Sequence, residues 1–277
     1  MKVRFWGTRG SIASAGPDTA RYGGNTSCVE VVGNDGTRLV LDAGTGIRQL
    51  GAAMAGDSRR VDVLLSHLHM DHIQGLGFFG PLSHPEVEVH IWGPPSATLD
   101  LRARLSRYLS PPLFPVQLRD IASRFALHNA PWEPVRIGGL DVIATSVVHP
   151  GPTVGYRIAE GDTAIAYLPD HEPALGPRAF PDTDRWTSGH GLASGVDLLV
   201  HDCQYLPEER AARIGWGHSS TVEAAAFASR AGARRLALFH HDPSHDDAAV
   251  DGMVEAVAAL APSVAVFGAR EGESVSV

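Results

Sequence analysis

The chain predicts an α/β fold in which sheets pack face to face with helices on the outside. Two observations predict it. Short β-like runs recur along the whole chain, broken by glycine- and proline-bearing turns. The runs of the first half read mostly as hairpins, whereas those of the second half alternate with alanine-rich segments whose apolar residues recur near every 3.6 positions.

Taken in order, the expected strands begin with "VRFW" (3–6), "SCVEVV" (27–32), "RLVLDAG" (38–44) and "VDVLLS" (61–66). "VEVHIWG" (87–93) follows, then a helix candidate at 96–109. "LDVIATSVVH" (140–149), "VGYRI" (154–158) and "TAIAYLPD" (163–170) come next. "DLLVHD" (197–202), "RLALFHH" (235–241) and "VAVFG" (264–268) complete the strands, with helices expected at 220–231 and 246–260. Ser220 followed by Glu223 forms a capping box, which places His218 in a loop just ahead of a helix N-terminus. The interval 171–195 reads as a long loop, and "YLSPPLFPV" (108–116) as a linker packed on the core in preference to a hydrophobic rim for a base. No low-complexity tract or repeat marks a boundary, so a single domain over 1–277 is expected.

Composition narrows the function. Of the 277 residues, 44% are hydrophobic and 19% charged, which suits a globular protein with a substantial core. A formal net charge of −8 argues against bulk capture of nucleic acid. The two cysteines, Cys28 and Cys203, suggest neither a disulfide framework nor a thiolate metal site. No apolar stretch reaches signal-peptide or membrane-spanning length, and the expectation is a soluble, cytoplasmic protein without membrane partners.

The chemistry concentrates in "SHLHMDH", which crowds His67, His69, Asp71 and His72 at the end of an apolar run. Asp42, His149, Asp170, Asp202 and the His240–His241 pair also fall at the C-terminal ends of expected strands. Strand ends on one edge of a sandwich can converge although they lie far apart in sequence. Imidazole and carboxylate are the donors expected for zinc, with manganese or iron as competitors. His84, His90, His128, His171, His190 and His245 are taken as surface or structural residues.

With "SHLHMDH", "HP" at His149, "YLPD" at Asp170 and "LFHH" at 240–241 in that order, the chain resembles the metallo-β-lactamase-fold hydrolases. It looks most like the branch holding tRNase Z and the phosphoribosyl cyclic phosphate phosphodiesterases. The likeness runs from "GTRGS" and "YGGNTSCVEV" through "LDAGTGI" to "DLLVHDCQY", "GWGHSS" and "LFHHDP". The resemblance implies a four-layer αββα sandwich, two divalent ions and a homodimer. His67, His69 and His149 would hold one ion; Asp71, His72 and His240 the other; Asp170 would bridge. His240 is preferred to His241 because the family's last ligand directly follows the apolar strand. Asp42 would accept hydrogen bonds that orient the ligand loop.

Two such ions, roughly 3.5–4 Å apart, would lower the pKa of water to about 7 and so provide a hydroxide for an in-line displacement. The resemblance makes His218 the general acid, paired with Asp202 where tRNase Z-like proteins usually carry glutamate; Asp71 counts with the catalytic groups as well as the ligands. Bacterial tRNase Z carries a tRNA-gripping arm between the third ligand histidine and the bridging aspartate. Here that interval, 149–170, has room only for a hairpin. A small cyclic phosphodiester, a cyclic nucleotide or a ribose cyclic phosphate, is therefore the expected substrate. An RNA endonuclease and a lactonase- or sulfatase-type metallohydrolase are the alternatives, and a non-enzymatic scaffold fits poorly with an intact ligand set. Asn25, Thr26 and Ser27, in a glycine-rich polar stretch, are candidate substrate contacts.

Overall fold

The structure is a computed structural model that describes residues 1–54, 60–173, 184 and 187–277. Among the described residues, strands β1 (Lys2–Gly7), β2 (Cys28–Val32), β3 (Arg38–Leu41), β4 (Arg60–Leu64), β5 (Glu88–Gly93) and β6 (Arg124–Asn129) build one sheet. A second contains β7 (Val135–Ile137), β8 (Leu140–Ser146), β9 (Val154–Glu160), β10 (Thr163–Leu168), β11 (Leu198–Asp202), β12 (Arg235–Phe239) and β13 (Ala265–Gly268). The last strand, β14 (Ser274–Ser276), returns to the first sheet beside β1.

Period-two alternation decides which side chains meet. Leu39 and Leu41 of β3 point between the sheets, while Val40 points outward. The inner layer joins Phe5, Val29 and Leu64 of the first sheet to Tyr156, Ile165, Val200 and Phe239 of the second. Outside the first sheet lie α1 (Ile47–Ala53) and α3 (Leu101–Leu105), with α2 (Met70–Ile73) beside them. Outside the second lie α4 (His190–Ala193), α6 (Thr221–Ala231) and α7 (Asp247–Leu260); α5 (Pro207–Arg210) leads into the turn before α6. Four layers result, as expected. Among the described residues no helix is long and apolar enough to cross a membrane.

The expected hairpin character of the first half is corrected. β1, β2 and β3 are antiparallel, but β3 to β6 run parallel, joined by crossovers. The second sheet repeats this plan, antiparallel from β7 to β10 and parallel from β10 to β13. The sequence pattern missed α1 because its apolar stripe is one helical turn deep, and it missed β6, β7 and β14, which sit at or beside sheet edges and are only partly buried. The helix expected over 96–109 shrinks to α3. Asp100 caps it through a bond from the Ala103 N–H (2.7 Å), which sets its start. The linker 108–116 does pack on the core through Tyr108 and Leu109, while Leu113 is exposed. Residues 174–183, 185 and 186 of the expected long loop lie outside the described residues.

The arrangement has one consequence for chemistry. β3 and β4, and likewise β10, β11 and β12, run parallel, so their C-terminal ends share an edge. There the chain leaves each strand with an acidic residue or a histidine.

Candidate metal centre

His67 follows β4, His69 precedes α2, and Asp71 and His72 sit within α2. His149 lies three residues past β8, Asp170 two past β10, and His240 directly after β12. All seven converge into two groups of close donor atoms: His67, His69 and His149 in one, and Asp71, His72, Asp170 and His240 in the other. Most are buried; His69 is the exposed member and marks the side open to solvent.

Asp170 stands between the groups. Its Oδ2 lies 3.7 Å from Nε2 of both His67 and His149, and its Oδ1 lies 2.9 Å from His72 Nε2 and 3.3 Å from His240 Nε2. Asp71 Oδ2 is 3.2 Å from His72 Nε2 and 3.1 Å from His240 Nε2, and His69 Nδ1 is 3.2 Å from His149 Nε2. Donors about 2.0–2.1 Å from one tetrahedral ion stand about 3.3 Å apart, close to these edges. His67 Nε2 and Asp170 Oδ1 are buried without an aligned hydrogen bond, as atoms aimed at a shared cation would be. The donors therefore fit divalent metal.

Outer partners settle which ring nitrogen faces inward. His72 Nδ1 donates to Asp42 (2.8 Å), His240 Nδ1 to Gln204 Oε1 (3.0 Å) and His149 Nδ1 to the Gly217 carbonyl (2.9 Å). His67 Nδ1 donates to Ser66 Oγ (3.0 Å), whose hydroxyl donates to Asp42 (2.8 Å). Asp42 also accepts from the Ser66 N–H (2.6 Å) and the Tyr167 hydroxyl (2.9 Å), so four donors hold a fully buried carboxylate. Asp42 and His240 both have φ of 61°, a left-handed backbone that costs a non-glycine residue on the order of 1–3 kcal/mol. The turn at His240 swings its ring into the site; His241 instead donates to the Ala269 carbonyl (2.9 Å) and packs edge-on against Tyr22. Gly10 makes room for that ring, since a Cβ there would come within 2.3 Å of His240 Nδ1.

The two groups differ electrically. Burial pushes His67 and His69 below the usual histidine range and takes His149 down to about 4. Burial also opposes charge on His72 and His240, but Asp170 and Asp71 outweigh it: His72 is raised and His240 reaches about 9. In turn, burial works against the charge of Asp71 and Asp170, yet the facing histidines hold both carboxyls below the usual range.

Asp202, the last residue of β11, accepts from His218 Nδ1 at 2.6 Å and from the N–H groups of His171 (3.1 Å), Gln204 (3.0 Å) and Ser219 (3.3 Å). His218 stacks on His240 with ring centroids 4.9 Å apart and lies edge-on to His149 at 4.9 Å. It sits near enough to both groups to serve as a donor, but its Nδ1 is committed to Asp202. The capping box behind it is present, with Ser220 N–H bonded to Glu223 (2.8 Å).

Asn25, Thr26 and Ser27 are tied into the framework. The Asn25 amide donates to Glu271 (2.6 Å), Thr26 exchanges hydrogen bonds with Thr45 (2.9 Å each), and Thr26 and Ser27 are fully buried. The "GTRGS" stretch does reach the site, where Ser11 N–H donates to Asp71 (2.7 Å). His171 and His201 form a buried pair (2.9 Å), and Cys203 is a core residue whose thiol is pushed up by burial. Sequence reasoning missed Gln204, Tyr167, Ser66 and the Gly217 carbonyl. Each nevertheless sits inside a quoted motif: "DCQY", "YLPD", "SHLHMDH" and "GWGH".

A profile described as the beta-lactamase superfamily domain matches residues 37–241, the span holding all seven donors. The chain belongs to this superfamily. A Mycobacterium marinum protein named ribonuclease Z is 30% identical over 274 aligned residues, covering 88% of this chain and 87% of that one. YhfI from Bacillus subtilis, a metallo-beta-lactamase fold protein, superposes with a TM-score of 0.72 at 20% identity over 99% of both chains. A diphosphatase of the PhnP family superposes with a TM-score of 0.70 at 18% identity, covering 100% of this chain and 97% of that one. By its superfamily membership the chain is a metal-dependent hydrolase.

Proposed function

We propose that this hydrolase cleaves a small cyclic phosphodiester, a cyclic nucleotide or a ribose cyclic phosphate, using two divalent ions, zinc foremost. His67, His69 and His149 would hold one, Asp71, His72 and His240 the other, and Asp170 would be shared. When bound, such ions supply a water acidic enough to attack phosphorus at neutral pH and neutralise charge on the phosphate oxygens. What remains is a proton for the leaving oxygen. The observation that carries the reading is the 2.6 Å contact of His218 with Asp202, beside both donor groups. Asp202 accepts a hydrogen bond from Nδ1–H and orients the ring, which leaves the protonated Nε2 to deliver its proton to an alkoxide. Lactone opening has no strong need of that dyad.

A compact substrate is supported by the interval between His149 and Asp170. It holds the β9–β10 hairpin, paired from Thr163–Glu160 to Tyr167–Tyr156, and no arm. The net charge of −8 agrees. A second reading, an RNA endonuclease, is favoured by the Mycobacterium marinum relative named ribonuclease Z.

The test is a panel of cyclic mononucleotides, cyclic dinucleotides, ribose cyclic phosphate and a tRNA with a 3′ trailer, offered to metal-reconstituted protein. Turnover of a small member, with His218→Ala keeping its metal but losing roughly 10²–10⁴-fold in kcat, is the expected result. Cleavage of the trailer alone would transfer the assignment to the nuclease. A His218→Ala protein as active as the parent would remove the general acid.

A further inference from the structure

Glu172 lies two residues past Asp170, is 1% exposed, and has no part in either donor group. A buried carboxylate needs partners, and these are specific. Its Oε2 accepts from the N–H groups of Gly215 and Gly217 (3.0 Å each), and its Oε1 from Gly215 N–H (3.1 Å) and Arg210 (2.6 Å). Arg210 in turn binds Glu223, the capping residue of α6 (2.8 Å). The backbone N–H of Glu172 donates to the Val148 carbonyl (2.9 Å), next to His149.

The turn that Glu172 grips does two jobs. The Gly217 carbonyl accepts from His149 Nδ1, and the next residue is His218. Gly217 has φ of 88°, and a Cβ there would come within 2.3 Å of His149 Nδ1, so the contact depends on a glycine held in one conformation. Glycine is also the residue with most freedom to leave it. Two N–H groups donating into one anionic carboxylate restrain that freedom, and a neutral amide cannot replace it, because its NH₂ would face donors.

We propose that Glu172 is the positioning residue for both sides of the site, holding the 215–217 turn so that His149 presents Nε2 and His218 reaches the leaving oxygen. The His218 half rests on the phosphodiesterase reading; the His149 half does not.

Glu172→Gln tests it. Circular dichroism and a thermal midpoint establish folding, and zinc affinity is measured by competition with a chelating dye, without turnover. The expected result is a folded protein whose zinc affinity falls about 10–100-fold. At saturating zinc, its kcat on the preferred cyclic phosphodiester falls by more than about tenfold at nearly unchanged KM, and bis-p-nitrophenyl phosphate, whose leaving group needs little acid assistance, is affected less. A folded variant with parental zinc affinity and parental kcat overturns the assignment. Should the parent itself hydrolyse no phosphodiester, the functional reading fails, yet the zinc comparison still decides Glu172 for His149. If the Gln variant does not fold, Glu172→Asp, which keeps the charge, takes its place. Collapse of both would make Glu172 a folding residue and end the proposal.

Discussion

The two donor groups share Asp170 and differ in almost everything else. His67, His69 and His149 have no carboxylate of their own beyond that shared one, so burial dominates and the rings are held neutral. His72 and His240 face Asp71 as well as Asp170, and the same burial is overcome, leaving protonated rings beside ionised acids. One group is therefore ready for a cation as it stands, while the other must release protons to accept one. Their outer supports differ in kind too. A backbone carbonyl and a serine orient the first; a four-fold bonded aspartate and a glutamine orient the second. The difference shows that ligand identity alone does not describe a metal site, because the acids around each imidazole set the proton it must lose.

The largest expected effect comes from the shared element. Asp170→Ala should abolish turnover and lower metal content at both groups, measured by elemental analysis after dialysis. Loss of a single ion with the other retained would show that the groups are independent. Next in size, Asp42→Asn should weaken metal binding about 10–100-fold, because an amide cannot accept all four of its donors. The loss should be greater at the Asp71–His72 group, and an equal loss at both groups would erase the distinction drawn from Asp42.

The smallest effect is a pair of pH limbs in the stability of chelator-treated protein. His149 titrates near 4 in the fold and near 6.5 unfolded, so between these values the unfolded chain holds more protons and stability falls as pH drops. His240 titrates near 9 in the fold, so its contribution is complete below about 6.5 and is lost as pH rises through 9. In denaturant titrations, His149→Gln should flatten the acid limb and His240→Gln the alkaline one. If each substitution changed the opposite limb, the charge assignment of the two groups would be reversed.

Much of the site was legible because its residues come as motifs on strand ends. "SHLHMDH" places four candidate donors within six positions, and each later candidate follows an apolar run long enough to read as a strand. Glu172 and Gln204 were not legible: each acts on a turn or ring about 36–45 positions away, and nothing local separates them from surface polar residues. Asn25, Thr26 and Ser27 show how one local pattern serves two readings. Their polarity and glycine neighbours suggested a binding loop, but the same features serve equally well to bond Glu271 and Thr45.

Local patterning by itself determined the strand procession, the α6 capping box, the donor types and their order, because these depend on side-chain chemistry and near-neighbour spacing. Only the tertiary structure decided that β3 to β6 run parallel, that His240 and not His241 turns inward, and that a single carboxylate faces imidazoles of both donor groups. Those outcomes depend on which strand edges meet and which backbone turns left-handed, and such long-range choices are made by packing two sheets together, not by any short stretch of chain.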